Sequence, residues 1–413
     1  MGIVLTIFGI GLTAASPVLS LMLFVALSPF GVISDFTGID PRTYWALALG
    51  VRVAFHQLRY KARIPIGAQV VWGLFTLTAA VVLWTRGANL ESAEFEKARY
   101  LLQYFIAGSL VAAALIELPR AWRDRRRIAY AFTVAVAWAC GAAIIQGVYL
   151  WYSGSPGRVT GTLGNANYMA TFLAASATAL LLLQARGWVD KRHAYPVIVL
   201  ACLACGFTMS RTGLLAVTLG LLLHRACNST NPRRWRQFVV TGVVVGAVFG
   251  GLALYVTKVR PQITYSGDAR GERLGQLSQA ISDLSRLHSL LFSVKLIQDS
   301  PVLGTGFGTF PARNYDANGV YLNTHDTYLE LLTGTGIRGA LLFGVLIRAL
   351  VRAIPRSQRR WLLPWAVCLG VNAAFGDYLQ SIEIFVVFAI SYAAVLYAPD
   401  APANTASAGS LSH

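Results

Sequence analysis

Charge is what this chain has least of. Lys, Arg, Asp and Glu make up 13% of its 413 residues, against 55% hydrophobic residues and a mean hydropathy of +0.55. Soluble domains carry about twice that charged share, so an ordinary soluble globule is excluded. Acids are the scarcer sign, 18 against 35 bases, for a net charge of +17. On a soluble protein that excess would point to nucleic acid. Here the bases cluster between apolar runs, so membrane topology accounts for them and no nucleic-acid partner is expected. The apolar runs are continuous rather than alternating, which excludes a transmembrane β-barrel. The N-terminus lacks a basic n-region, so no cleavable signal is expected. Walker loops and DxD signatures are missing, which argues against an ATP-driven pump and a cytoplasmic nucleotide-sugar enzyme. No carboxylate cluster has metal-ligand spacing, so neither metal nor cofactor is expected. The five cysteines (Cys140, Cys202, Cys205, Cys227 and Cys368) all lie in or beside apolar runs. Cys202-x-x-Cys205 has the spacing of a redox pair, but an apolar run favours small-residue packing, and no disulfide framework is expected.

What is present is a series of apolar runs. Crossing the hydrocarbon takes roughly 20 residues of helix. On that measure the expected spans are 3–34 (long, with a break at Pro17), 42–58, 66–85, 98–117, 128–151, 166–186, 194–208, 211–225, 237–257, 337–354, 361–376 and 384–398. The expected fold class is therefore an all-α polytopic membrane protein of about 12 transmembrane helices. Residues 1–257 would hold the first nine, 258–336 one large loop, 337–398 the last three, and 399–413 a small polar tail expected to be disordered.

The connecting loops alternate in charge. Arg59/Lys61/Arg63, Arg120 with Arg123 to Arg127, Arg186/Lys191/Arg192, Arg225 with Arg233 to Arg236, and Arg348 to Arg360 form one set. The positive-inside rule places it in the cytoplasm. Asp35, Asp40, Glu91, Glu94, Glu96, Asp377 and Glu383 lie in the other set, which faces outward with the long segment 258–336. An even number of spans leaves both termini cytoplasmic. Within the long segment, Leu274, Leu277, Ile281, Leu284, Leu287, Leu291, Val294 and Ile297 recur every three or four residues. That period predicts one or two amphipathic helices over 271–299, lying on the membrane face. Pro301 ends the run, Gly304-Thr305-Gly306-Phe307-Gly308 reads as a tight turn, and Thr309 to Leu322 reads as loop.

Three outward stretches could carry chemistry. Arg158 to Ala170 holds two glycines and Asn165 and Asn167 at a helix start, suited either to close approach of a polar ligand or to plain capping. Thr208-Met209-Ser210-Arg211-Thr212-Gly213 holds Arg211 at the membrane surface, where it either snorkels or pairs with a phosphate. Asn323-Thr324-His325-Asp326-Thr327-Tyr328-Leu329-Glu330 presents one histidine, suited to base catalysis near neutral pH, or to a loop hydrogen bond. Asp326 and Glu330 lie near enough in sequence to orient that ring. The outward arginines Arg260, Arg270, Arg273, Arg286 and Arg313 either form a cationic cleft for a phosphate-bearing ligand or pair with Asp268, Glu272, Asp283, Asp299 and Asp316.

Gly161-Thr162-Leu163-Gly164-Asn165-Ala166-Asn167, Ser210-Arg211-Thr212-Gly213, and Pro301 to Gly308 leading to Thr324 to Glu330 together resemble the bacterial O-antigen ligase / O-antigen polymerase superfamily. That family often has Asn-Pro-Asn at 165–167 and His-Asn at 325–326. The resemblance covers about residues 158–345. It implies a GT-C-like fold with a large periplasmic loop in the bacterial inner membrane, and an active site facing the periplasm. It further implies metal-independent transfer of glycan from an undecaprenyl-pyrophosphate donor to an acceptor, first among them lipid A–core. By motif, His325 resembles the base, Arg211 a donor-pyrophosphate ligand, and Arg286, more loosely, a second one. Arg158, Arg270, Arg273, Asn165, Asn167 and Asp326 complete the candidate substrate-binding set. Repeat-unit polymerisation, protein O-glycosylation and, in another class, transport of a lipid-linked glycan are the alternatives.

Overall fold

The computed structural model describes residues 2–30, 40–87, 90, 92–153, 158–228, 287–318, 324, 326–374, 376, 378–379 and 381–397. These residues are helical and contain no strand. In order they form α1 (Gly2–Ala15), α2 (Pro17–Leu27), α3 (Pro41–Arg59), α4 (Ile66–Gly87), α5 (Ser92–Glu117), α6 (Trp122–Tyr152), α7 (Ala166–Ala185), α8 (Lys191–Phe207) and α9 (Arg211–Asn228). Then follow α10 (287–299), α11 (Phe310–Asn318), α12 (Thr327–Ala353), α13 (Leu363–Ala373) and α14 (Ile382–Leu396). Five helical segments, Ile66–Gly87, Glu94–Glu117, Trp122–Tyr152, Ala166–Ala185 and Thr327–Ala353, are long and apolar enough to cross a membrane. The chain thus has the build of a helical membrane protein. The expected first span is broken as its sequence suggests: Ser16 is extended (φ −149, ψ 90), and Pro17 opens α2 at a position where its missing N–H costs nothing. The expected span 237–257, the start of the large loop and the tail lie outside the described residues.

α7 is the axis of the bundle. Its sequence is apolar or small on every side, the pattern of a helix surrounded by protein, and 83% of its most apolar window is buried, against 28% for α4. Small residues bring its neighbours close. A methyl group added at Gly213 of α9 would sit 2.6 Å from Ala170 Cβ, and one added at Gly220 would meet Thr178. Without a hydrophobic drive between helices in lipid, such close contact is what associates them. Cys205 belongs to this packing, buried with its thiol 3.8 Å from Ala170 O. All five cysteines are free.

The described basic residues of loops 59–63, 120–127, 186–192 and 348–360 gather at one end. There the guanidiniums of Arg63 and Arg125 lie 4.3 and 3.9 Å from the centroid of Tyr397, and Arg186 lies 4.7 Å from Trp361. Glu117 accepts the backbone amides of Arg63 and Ile64.

Two features depart from the expectations. Thr309 to Leu322 was expected as loop, yet Phe310–Asn318 is a helix. Nine residues are too few to show a period. Its fixing contacts are tertiary: Phe310 packs edge-on against Phe292 of α10 at 5.6 Å, and Arg313 Nη2 donates to Arg86 O at 2.7 Å. The tenth expected span, 337–354, extends back to Thr327 across a kink at Gly336. The helical period expected over 271–299 is present in its described part. Ser289, Phe292, Ser293 and Leu296 face inward, while Leu287, Leu291 and Val294 form an exposed stripe.

Candidate active site

The first candidate stretch is a capped helix start with a clamp attached. Gly161 and Gly164 take positive φ around a short 3-10 turn. Gln146 Oε1, from α6, holds that turn by accepting the amides of Thr160 (3.0 Å) and Gly161 (2.7 Å). Asn165 Oδ1 caps α7 by accepting from the amides of Asn167 at 2.8 Å and Tyr168 at 3.3 Å. Arg158 then spans to the next stretch: it donates from Nη2 to Asn167 Oδ1 at 2.8 Å and from Nε to Thr208 O at 3.2 Å. Capping and clamping therefore occupy Asn165, Asn167 and part of Arg158.

The second stretch reverses the chain between α8 and α9 in three residues. Met209 takes φ +54, the one positive φ outside glycine among the described residues. Thr208 Oγ1 accepts from Ser210 N at 3.3 Å, and Ser210 Oγ accepts from Gly213 N at 3.3 Å. This turn delivers Arg211 as the first residue of α9, exposed at the surface. Among the described residues it makes no hydrogen bond or ion pair. A cation in the first helical turn opposes the positive end of the helix dipole, whereas an anion is favoured there. Arg211 is thus placed unfavourably for the fold and favourably for a bound anion.

The third stretch is built from backbone. Thr305 N donates to Thr333 O at 2.7 Å and Gly306 N to Gly334 O at 3.0 Å. Ile337 N donates to Pro301 O at 2.9 Å and Arg338 N to Val302 O at 3.3 Å. The glycine turn is thereby stapled to the kink of α12. Gly336 (φ 63, ψ −173) lies in a region that L side chains essentially never enter. A methyl group added at Gly304 would come within 2.5 Å of Gly336 N. Phe307 anchors the turn, fully buried and 5.9 Å from Phe105. Arg313, on α11, donates to Thr305 O at 3.1 Å and to Arg86 O, at the end of α4, at 2.7 Å. Both bonds come from Nη2, Nε is buried without a partner among the described residues, and burial lowers the Arg313 pKa.

Beside that turn begins the helix that follows position 325. Asp326 caps it, Oδ1 accepting from the amides of Tyr328 (2.7 Å) and Leu329 (3.0 Å). Burial raises the Asp326 pKa, and the same two amides oppose the rise. Thr327 Oγ1 donates to Gly376 O at 2.6 Å and accepts from Tyr378 N at 3.0 Å. Tyr378 in turn meets Tyr168 of α7 with ring centroids 5.4 Å apart. This chain of contacts joins the starts of α7 and α12 at one end of the bundle, opposite the basic end, with the start of α9 tied in by Arg158.

Of the expected site residues, Arg158, Asn165 and Asn167 come together directly, Arg211 follows the turn that Arg158 holds at Thr208, and Asp326 joins them through Thr327 and Tyr378. His325, Arg270, Arg273 and Arg286 lie outside the described residues. Gln146, Tyr168 and Tyr378 are additions. Gln146 was visible as a polar residue inside an apolar run; the two tyrosines carried no sequence signal. Among the described residues no group of three His, Cys, Asp or Glu side chains is placed to hold a metal.

A family model described as O-antigen ligase matches residues 196–344, from within α8 to within α12, and supports placement in the O-antigen ligase superfamily. No curated protein matches the chain.

Proposed function

We propose, with the O-antigen ligase superfamily as the premise, that this membrane glycosyltransferase moves O-antigen glycan from undecaprenyl pyrophosphate to lipid A–core. In this reading the protein lies in the bacterial inner membrane with its active site facing the periplasm. His325 is the general base that takes the proton from an acceptor-sugar hydroxyl. The oxygen then attacks the anomeric carbon, and the bond to pyrophosphate breaks. Attack opposite the leaving group inverts the anomeric centre.

The observation that carries this reading is Arg211, open and exposed in the first turn of α9. A pyrophosphate leaving group is stabilised by a guanidinium fork and by the positive end of a helix. The donor brings its own leaving group, so positioning and charge neutralisation are the main tasks, and arginines suffice for both. Arg286, Arg270 and Arg273 supply further cations from the long loop. Arg158 and Asn167 act as a preformed wall beside Arg211, and Asn165 and Asp326 set the two helix starts that frame the donor.

His325→Ala tests the base: transfer from purified lipid-linked donor should fall by about 10³-fold or more, within the range of general-base removal, with the protein still folded. Transfer at the wild-type rate would overturn the assignment. Activity should also survive chelator. Lipid A–core, a growing repeat unit and a protein acceptor offered side by side should give product on lipid A–core.

A further inference from the structure

Glu330 sits one turn into α12 and is 2% exposed. Its two oxygens face different partners. Oε1 accepts from Gly308 N, the last amide of the glycine turn, at 3.1 Å. Oε2 lies 3.5 Å from Thr324 Oγ1. The same Thr324 hydroxyl reaches Asp326 O at 3.0 Å, and Asp326 N lies 3.4 Å from it. Thr324 is itself 4% exposed. One carboxylate therefore links the glycine turn to a hydroxyl that grips the chain on the far side of position 325. Among the described residues Glu330 has no ion pair, so no described arginine accounts for its burial. A buried carboxylate without a cation is costly to keep, and capping does not require it, since Asp326 caps this helix alone.

We propose that Glu330 is a positioning residue for the transfer step. It fixes the peptide units at 324 and 326, and with them the reach of residue 325, against the stapled glycine turn. The inference rests on the reading of His325 as the base. Gly308 takes φ +78, and its amide donates to the carboxylate. Backbone bonds from Thr305 and Gly306, with Thr305 Oγ1 also donating to Thr333 O at 3.1 Å, hold the turn against α12, so the turn is a fixed reference. Glu330 transfers that reference to the loop.

The test is steady-state transfer from undecaprenyl-pyrophosphate-linked oligosaccharide to lipid A–core by full-length protein in detergent or vesicles. Glu330→Ala should lower kcat about tenfold or more, with KM for the donor changed less than about threefold. Glu330→Gln can still accept from Gly308 N and donate to Thr324 Oγ1, and should retain most of the rate. Thr324→Val should lower kcat in the same way. The double variant should be no slower than Glu330→Ala, because both act on one linkage. A general structural role would move the amount of folded protein and leave kcat per folded molecule unchanged. Wild-type kcat in Glu330→Ala, multiplicative losses in the double variant, or a loss confined to KM would each overturn the proposal. If Glu330→Ala does not fold, Thr324→Val and Glu330→Gln decide alone: wild-type kcat in the first, or an Ala-like loss in the second, overturns it. His325→Ala in the same assay separates the two ideas. An active His325→Ala removes the reading of the site, whereas an inactive one beside a normal Thr324→Val removes only this inference.

Discussion

The two ends of the bundle use the same side chain to opposite purposes. At the basic end, arginines are absorbed: Arg63 and Arg125 stack on Tyr397, Arg186 on Trp361, and Arg126 reaches Asp190 at 3.4 Å. At the other end, Arg42 is held between Asp40 and Glu383, Arg158 holds Asn167 and Thr208, and Arg313 holds two carbonyls. Arg211 differs from all of these, since none of the described residues engages it. A guanidinium already engaged with rings or carbonyls is architecture. One left open in the first turn of a helix is available for recognition.

That contrast breaks most sharply at Arg211. Arg211→Ala should lower kcat/KM for the lipid-linked donor about 100-fold, on the order of 2.7 kcal/mol of transition-state stabilisation. Arg211→Lys should restore only part of it, because an ammonium cannot reproduce a bidentate fork. Arg125→Ala at the basic end should leave kcat/KM per folded molecule unchanged in the same assay. Equal losses from the two substitutions would erase the distinction.

Gly336→Ala comes next. Forcing a side chain into its backbone conformation costs on the order of 3 kcal/mol, and the new methyl would meet Val302 O. The expected result is a lowered thermal midpoint and lost transfer, while Gly344→Ala, with open space around it, should be silent. Tyr397→Leu removes two cation–π contacts and should cost about 1–2 kcal/mol of stability, with the catalytic rate retained. The smallest effect concerns Asp190. A hydrogen bond from Tyr130, at 2.6 Å, is the main reason its pKa is lowered, with Arg126 contributing less. A lowered carboxylate pKa stabilises the fold above the ordinary value of about 3.9, and that contribution is lost as pH falls through the folded value. Tyr130→Phe should therefore lower stability slightly at neutral pH and converge on wild type below the folded value, which flattens the acid limb of the stability–pH curve.

The sequence made the helical class legible because apolar runs of spanning length need no tertiary help to be recognised. Pro17 and Asn165 also announced their roles, since a helix start is a local event. Position 337 was a natural place to begin a span: it follows the kink, and the polar residues before it disguised a continuous helix. The Phe310–Asn318 helix was not legible, because one buried phenylalanine and contacts to α4 and the glycine turn define it. Nor did the sequence show that Asp326 caps a helix while Glu330 reaches the glycine turn. Both were acids near a histidine, and only folded distance tells them apart. The pairing of Tyr168 with Tyr378 spans more than two hundred residues and has no local trace.

Four of the bonds between the glycine turn and α12 are made by main-chain atoms on both sides. Such a joint is indifferent to most side chains that pass through it. Related chains can drift at Val302, Leu303 or Thr335 without loosening it, whereas Gly304 and Gly336 admit no replacement. A saturation library over 301–304 and 335–338 should show tolerance punctuated at those two glycines, and the strictness there would report the cost of backbone approach rather than the chemistry of sugars.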